Sequence, residues 1–385
     1  MKTNKIKIGI HAADLCHDRI DGTRIYLMNM LKRFGILEPN TRFHIYLKGK
    51  INPQLSFQIY PNYTLHESSF PFYWTQLKLP VFLKKTKPQV LWMPMHNLPR
   101  WRPRGVKTVI TIHDLAFKMF PNLFPKKDLK LLNQLTDYAV KKADRIIAVS
   151  RSTQRDICQI YGIDPAKVRV IYHGYDKHIF HLPSQAQKNN IPAVKKKYKI
   201  PGSAPYIIYV GALQPRKNLG ILVNAFERLK TIQYFSKFKL VLAGGEAWMT
   251  DDLKAQISIS PQRENIILTG GFHTNDLPYL LWGSRVFVFP SLYEGFGIPI
   301  IEAMACGVPV VSAKNSSLTE VGGNACVYFD SKNSQDLAFK LRELFLNKGK
   351  KKKMVEAGLE RVRNFSWDKT AKETYGYLEE IARIK

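Results

Sequence analysis

Glu294 and Glu302 stand eight positions apart in SLYEGFGIPIIEAMACGVPVVSA (291–313), a stretch otherwise almost wholly apolar or small. A segment built to be buried keeps a carboxylate only where something compensates it. Carboxylates are good acceptors for sugar and ribose hydroxyls. Between the glutamates, Gly295 and Gly297 let backbone N–H groups come close to a ligand. A short helix opening around Ile298 and Pro299 turns its N-terminal amides toward an anion. Two hydroxyl acceptors beside a phosphate-binding helix end point to a nucleotide-sugar. The competing reading is that both glutamates cap the helix or pair with lysines.

A second set of charges lies upstream. In YVGALQPRKNL (209–219) a strand ends at Gly211, and Arg216 and Lys217 follow before a helix begins. Cations placed there clamp a diphosphate and stabilise it as a leaving group without a metal. Alone, the same pair reads equally well as a solvated basic turn.

These residues need elements that end in the right places. Val- and Ile-rich runs predict strands at 5–12, 42–48, 89–95, 106–114, 144–150 and 167–174, with helices at 22–35, 126–142 and 151–161. The second half predicts strands at 206–212, 238–245, 265–271, 285–291, 308–313 and 325–330, with helices at 218–230, 275–283, 299–306 and 335–347. Apolar runs without polar alternation suit strands buried on both faces. Their alternation with helices predicts parallel sheets, hence an α/β chain of two Rossmann-like domains. The expected domains are 1–185 and 186–365, with a terminal amphipathic helix at 366–385 packing back on the first. The polar, proline-bearing segment 181–205 is the expected linker, with a short helix near 192–198. Open α/β sheets bind ligands beyond the carboxyl ends of their strands, so the cleft between two facing domains is the expected site.

Composition narrows the partners. The net charge of +29, from 59 Lys and Arg against 30 Asp and Glu, attracts nucleic acid, phosphorylated substrates or an anionic membrane surface. A merely Lys-rich chain gives the same total. Residues 1–185 carry 30 of the cations and 12 of the carboxylates, so the excess is larger there. Cys16, Cys158, Cys306 and Cys326 are scattered without a C-x-x-C pair, which argues against a zinc site and fits a reducing cytoplasm. The N-terminus lacks the apolar core of a signal peptide. Residues 286–313 are long enough to span a bilayer, but Pro290, Pro299 and Pro309 break any helix there. No G-x-G-x-x-G follows a strand, which argues against a dinucleotide enzyme.

GALQPRKNL (211–219), the stretch GFHTNDLPYLLWGSRVFVFPSLYEGFGIPIIEAMACGVPVVSAKNSSLTEVGG (271–323) and FSW (365–367) together resemble the retaining glycosyltransferases of family 4, with the GT-B fold. The spacing from Glu294 to Glu302 is that family's E-x7-E hallmark. The resemblance covers nearly the whole chain and is strongest from 206 to 330. It implies transfer from a nucleotide-diphosphate sugar with no cofactor and no metal, in keeping with the absence of a D-x-D motif. It implies that Glu302 holds the ribose hydroxyls, that Glu294 orients the donor sugar, and that the 297–299 backbone assists Arg216 and Lys217 at the diphosphate. It also carries over to the first half. Gly22 and Arg24 match a loop facing the diphosphate and acceptor, although Asp21 replaces the family's first glycine. His113 matches a histidine near the reaction centre. Ser150 and Arg151 fall in a V-S-x-x-S region where Ser152 is the expected helix cap, and His173 replaces an asparagine at the expected cleft floor.

The aromatic- and cation-rich stretches 68–80 and 92–105 read either as packed loops or as an acceptor platform. General similarity to bacterial mannosyltransferases of surface-polysaccharide pathways favours GDP-mannose over a UDP-sugar. The expected acceptor is a saccharide or lipid-linked saccharide, reached by a cytoplasmic protein with peripheral contact to an anionic membrane. Rival readings are a GT-B epimerase or phosphorylase, and a basic nucleic-acid-binding protein. No nucleic-acid recognition motif supports the last of these.

Overall fold

The computed structural model describes residues 5–18, 21–70 and 72–384, and of Lys348 the backbone alone. Arg19 and Ile20 in the loop before the first helix, and Pro71 in the first aromatic stretch, lie outside the described residues. Contacts divide the chain into two units. The first runs to Lys118 and resumes at Lys126–Gly174 and from Trp367 onward; the second comprises Met119–Pro125 and Tyr175–Ser366. The passage between units thus falls at 174/175 rather than at the expected 185/186.

The first unit contains β1 (Lys7–His11), α1 (Gly22–Leu37), β2 (Arg42–Leu47), β3 (Tyr63–Glu67), α2 (Trp74–Thr86), β4 (Val90–Met93), β5 (Lys107–Ile112), α3 (Ala116–Met119), α4 (Lys126–Lys142), β6 (Arg145–Ala148), α5 (Arg151–Tyr161) and β7 (Val168–Val170). Its seven strands lie in the order β3-β2-β1-β4-β5-β6-β7, all parallel. The second unit contains α6 (Gln185–Lys197), β8 (Tyr206–Val210), α7 (Leu219–Lys230), β9 (Lys239–Ala243), α8 (Asp251–Ile259), β10 (Ile266–Gly270), α9 (Leu277–Trp282), β11 (Val286–Phe289), α10 (Ile298–Ala305), β12 (Val310–Ala313), α11 (Leu318–Gly322), β13 (Cys326–Phe329), α12 (Ser334–Leu346) and α13 (Lys348–Val362). Its six strands lie in the order β10-β9-β8-β11-β12-β13, again all parallel. The last helix, α14 (Trp367–Arg383), returns to the first unit.

Both sheets reverse direction once, between β1 and β4 in the first unit and between β8 and β11 in the second. Chain ends diverge at such a reversal and leave a crevice beyond the carboxyl ends of the two strands. Every residue of β8, β11 and β12 is buried, so helices cover both sheet faces and apolar runs are required. In the first unit, α14 packs on α1 and the sheet through buried Trp367, Tyr375, Leu378 and Ile381. Burial of this size stabilises by roughly 2 kcal/mol per large side chain. Polar contacts fix its register: Arg33 donates to Asp368 at 2.7 Å, and Thr370 Oγ1 donates to the Tyr172 carbonyl at 2.7 Å.

Several elements depart from the sequence reading, among them α3, α8 and α11, which it did not include. β3 is an edge strand with one buried residue, Tyr63, so it lacks a buried strand's apolar run. α2 carries Pro80 in its interior, which argues against a helix, yet Trp74, Leu79, Pro80 and Leu83 bury one face. α6 starts at a capping box formed by Ser184 and Gln187, so most of the expected linker is helix within the second unit. The lysine run 348–353 opens α13, capped by Asn347 Oδ1 accepting from the Lys350 N–H at 2.9 Å. Among the described residues no helix is long and apolar enough to cross a membrane, and 286–313 folds as β11, a loop, α10 and β12.

Candidate functional site

In the second unit, the charged residues converge at the β8/β11 reversal. The loop after β8 must turn sharply. Gly211 has φ +145°, and a Cβ on Gly244 would meet the Gly211 carbonyl oxygen at 1.9 Å. Gly211 therefore shapes the backbone that carries the cations. Pro215 then opens a short 3-10 turn, and Asn218, at φ +56°, ends it and precedes α7. The Asn218 amide donates to the Pro290 carbonyl at 3.2 Å and to the Ser331 carbonyl at 2.8 Å, tying this loop to the one after β11.

The second loop brings Glu294 between the two cations. Its Oε1 lies 2.5 Å from Lys217 Nζ and its Oε2 lies 3.0 Å from Arg216 Nη1. Lys217 Nζ also sits 5.4 Å from the Phe289 ring centroid. Arg216 donates to the Tyr293 carbonyl as well. Ser316 and Ser317 hold the loop: Ser316 Oγ accepts from the Glu294 N–H at 3.0 Å, and Ser317 Oγ bonds the Glu294 and Phe296 carbonyls at 2.9 and 3.0 Å. Burial alone would push the Glu294 carboxyl up, but the Arg216 and Lys217 charges outweigh it and hold the group at about 2. The cluster is one carboxylate against two cations, so it retains a positive charge that an anion would balance.

Gly297, at φ +100° and ψ 49°, ends this loop and starts α10 at Ile298, with Pro299 in the first turn. Among the described residues no side chain caps this helix start; Pro299 has no N–H and the Ile300 N–H donates to the Gly297 carbonyl at 3.0 Å, which leaves the Ile298 N–H to water or a ligand. Glu302 stands one turn further on. Burial, and then the nearby carboxylate of Asp176, raise its carboxyl to about 8. Among the described residues none makes an ion pair or side-chain hydrogen bond with it. The two glutamates are therefore in opposite states at neutral pH, Glu294 ionised and Glu302 largely protonated.

In the first unit, His113 follows β5. Its Nε2 donates to the Pro94 carbonyl at 2.8 Å, which leaves Nδ1 as the acceptor. Burial is the main reason its pKa falls to about 4, so the ring is neutral. His113 stacks on His173 at 5.4 Å and meets Tyr26 edge-on at 5.1 Å. His173 is itself buried against Tyr26 and Trp367 in the aromatic core. Asp21 replaces glycine as the N-cap of α1: its Oδ1 accepts from the Arg24 N–H at 3.2 Å. Arg24 folds back on the Asp21 carboxylate and donates to the Asp14 carbonyl at 3.1 Å. Among the described residues, a Cβ at Gly22 would meet nothing within 4 Å. Ser150, not Ser152, caps α5, accepting from the Thr153 N–H at 3.0 Å, because the helix starts at Arg151. Ser150 is fully buried in that role.

The structure adds residues beyond the sequence reading. His11 ends β1, and His96 and Asn97 follow β4, at the reversal of the first sheet. Among the described residues, His11 Nδ1, His96 Nδ1 and Asn97 Oδ1 are buried without a hydrogen-bond partner. Thr75 Oγ1 bridges this group, 3.3 Å from His11 Nε2 and 3.4 Å from Asn97 Nδ2. A strand-end rule applied to KIGIHAAD and VLWMPMHN would have found them. Asp176, Ser316 and Ser317 carry no comparable signal, because they act only through tertiary proximity.

Known proteins resemble this chain in sequence and in fold. Residues 190–361 match the family described as Glycosyl transferases group 1, and residues 48–178 match Glycosyltransferase Family 4. Over 293 residues, 76% of this chain and 74% of the relative, it is 29% identical to the O-antigen chain mannosyltransferase B of Escherichia coli. Its structure resembles sucrose-phosphate synthase of Thermosynechococcus elongatus (TM-score 0.75, 16% identity, 98% of this chain and 99% of that one). It also resembles HepE of Anabaena, solved with UDP and glucose (TM-score 0.74, 18% identity, 97% and 99%). At such identities these structures speak for the fold alone. With two family matches laid over two sheets of the same doubly wound order, the chain belongs to the family 4 and group 1 glycosyltransferases of GT-B fold.

Proposed function

We propose that the protein is a retaining glycosyltransferase that uses a nucleotide-diphosphate sugar, GDP-mannose in preference to a UDP-sugar. The acceptor is a saccharide or lipid-linked saccharide of cell-surface glycan synthesis, met at the inner face of the cytoplasmic membrane. The observation that carries this reading is the buried Arg216–Glu294–Lys217 cluster, which keeps a net positive charge beside the uncapped start of α10. A diphosphate completes that charge balance. Arg216, Lys217 and the 297–299 backbone bind it, and Glu302 accepts hydrogen bonds from the ribose hydroxyls. Glu294, fixed by the two cations, orients the donor sugar. The acceptor hydroxyl attacks the anomeric carbon as the bond to the diphosphate oxygen breaks, and the leaving phosphate takes the hydroxyl proton. The first unit contributes His113 near the reaction centre, Gly22 and Arg24 at its α1 loop, and His11, His96 and Asn97 for acceptor hydroxyls. The preference for mannose is supported by the named activity of the E. coli relative.

Thermal unfolding with UDP, GDP, ADP and NAD, with and without EDTA, tests this. A nucleotide at about 100 times its Kd adds about 2.7 kcal/mol, a shift of several degrees. GDP should give the largest shift, EDTA should leave it intact, and Glu302→Ala should abolish it. A folded protein that responds to no nucleotide would remove the donor assignment. Product analysis then separates transfer from epimerisation or phosphorolysis.

A further inference from the structure

From Ser68 to His113 the chain carries eight Lys and Arg and not one Asp or Glu. The same segment holds a concentration of exposed large apolar side chains. Phe70 is 42% exposed, Phe72 70%, Tyr73 78%, Leu77 53%, Val81 45% and Trp101 54%. Isolated exposed apolar residues are ordinary, but a cluster marks an interaction surface. Four of the six lie on α2 or at its start. α2 buries Trp74, Leu79 and Leu83 and turns Leu77 and Val81, one turn apart, outward. Phe72 and Tyr73 stand at its start, and Lys84 and Lys85 close its last turn.

Trp101, also exposed, lies on the loop after β4, which is bonded to α2. No helix fills the crossover from β4 to β5; residues 94–106 run beside α2 as an extended loop. Gln76 on α2 clamps that loop, donating to the Leu98 carbonyl at 3.1 Å and accepting from the Arg100 N–H at 2.9 Å. On its far side, Tyr138 donates to the Arg100 carbonyl at 3.2 Å and Arg102 donates to the Lys142 carbonyl at 3.0 Å. Trp101 is thus presented from a braced loop, between Arg100 and Arg102 and close to Arg104.

The geometry points to an anionic lipid bilayer as the occupant of this face. The eight cations of this stretch outnumber the neighbouring acids, Glu67 and Asp144, and call for a negatively charged partner. Nucleic acid offers stacking for aromatic rings but nothing for outward aliphatic side chains such as Leu77 and Val81. A lipid interface accepts both: aromatic rings settle at headgroup level, the aliphatic face of a surface helix enters the acyl boundary, and lysines and arginines bind lipid phosphates. The inference does not depend on the donor sugar. It names the contact surface for the membrane placement proposed above.

Cosedimentation of the full chain with vesicles of phosphatidylcholine, with and without phosphatidylglycerol, tests it. The wild type should partition at least about tenfold more onto the anionic vesicles, less at high salt. The Leu77→Glu/Val81→Glu pair should lower that partition about tenfold without changing the melting temperature, since both side chains are exposed. A second readout needs no disruptive variant: anionic vesicles should blue-shift tryptophan emission in the wild type and not in Trp101→Phe. Wild-type partition by the glutamate pair, or emission unmoved by vesicles, overturns the proposal. So does binding to a short duplex DNA that outcompetes the vesicles and is indifferent to Leu77 and Val81.

Discussion

Glu294 and Glu302 show how one residue type takes opposite roles eight positions apart. Glu294 is compensated where it sits, by two cations, and its charge is already in place. Glu302 is half-buried beside Asp176, and among the described residues nothing donates to its side chain, so the ligand-free protein bears a cost there. The unfolded carboxyl titrates near 4.5 and the folded one near 8, so between those values the folded state binds a proton that the unfolded state does not. Stability from this site therefore falls as pH rises from 4.5 to 8. Glu302→Gln should accordingly raise the melting temperature at about pH 8 and change it little near pH 5, while losing nucleotide binding. Paired melts and nucleotide titrations of the two proteins at both pH values check this. Equal melting at pH 8 would show that the carboxyl is compensated after all.

At the scale of elements, the site depends on two loops held to shape by glycines. Gly244 follows β9 at φ +157° and packs its missing side chain against the Gly211 carbonyl. A Cβ at 1.9 Å from backbone oxygen cannot be relieved by a rotamer change. Gly244→Ala should therefore displace the 211–217 loop, destabilise the protein by several kcal/mol, and weaken GDP binding although residue 244 touches no ligand. Gly245→Ala is the control, because its Cβ would meet nothing within 4 Å. Urea denaturation and nucleotide titration of the two variants should differ clearly; equal behaviour would show that the loop yields. Part of this level was legible in sequence. The strands of β8 and β11 announce themselves as apolar runs, but the Gly211–Gly244 contact joins segments from different strands. α2 was hidden by Pro80, whose local cost is outweighed by the burial of Trp74, Leu79 and Leu83.

At the scale of the whole molecule, the shifted histidines of the first unit and Glu302 of the second should respond to acid in opposite directions. Among the described residues, His11, His44, His66, His96, His113 and His173, all in the first unit, are held below their ordinary value by burial. The unfolded histidines take up protons near 6.5, while folded His44 and His113 do so only near 4. The stability they contribute is complete above 6.5 and is lost as pH falls toward 4. In the second unit, acidification from 8 toward 4.5 relieves Glu302, and Glu294 loses its contribution only from 4.5 down to about 2. Amide hydrogen exchange at about pH 7.5 and about pH 5, corrected for intrinsic rates, should show weakened protection in β1, β4 and β5. Protection in β8 and β11 should hold or rise. A uniform change across both sheets would contradict the assignment of these groups.

The sequence by itself determined the fold class and singled out the segments that form the candidate site. Apolar runs and their alternation with helices are local patterns, and Arg216–Lys217 and Glu294–Glu302 lie in short motifs at strand ends. Burial and proximity are not local. The tertiary structure alone decided that Glu294 holds both cations, that Asp176 raises Glu302, and that Asp21 caps α1 while gripping Arg24. It likewise decided that Gln76 ties the loop carrying Trp101 to α2. Each of these needs two segments brought together by the sheet order, and charge, burial and exposure take their values only once they meet.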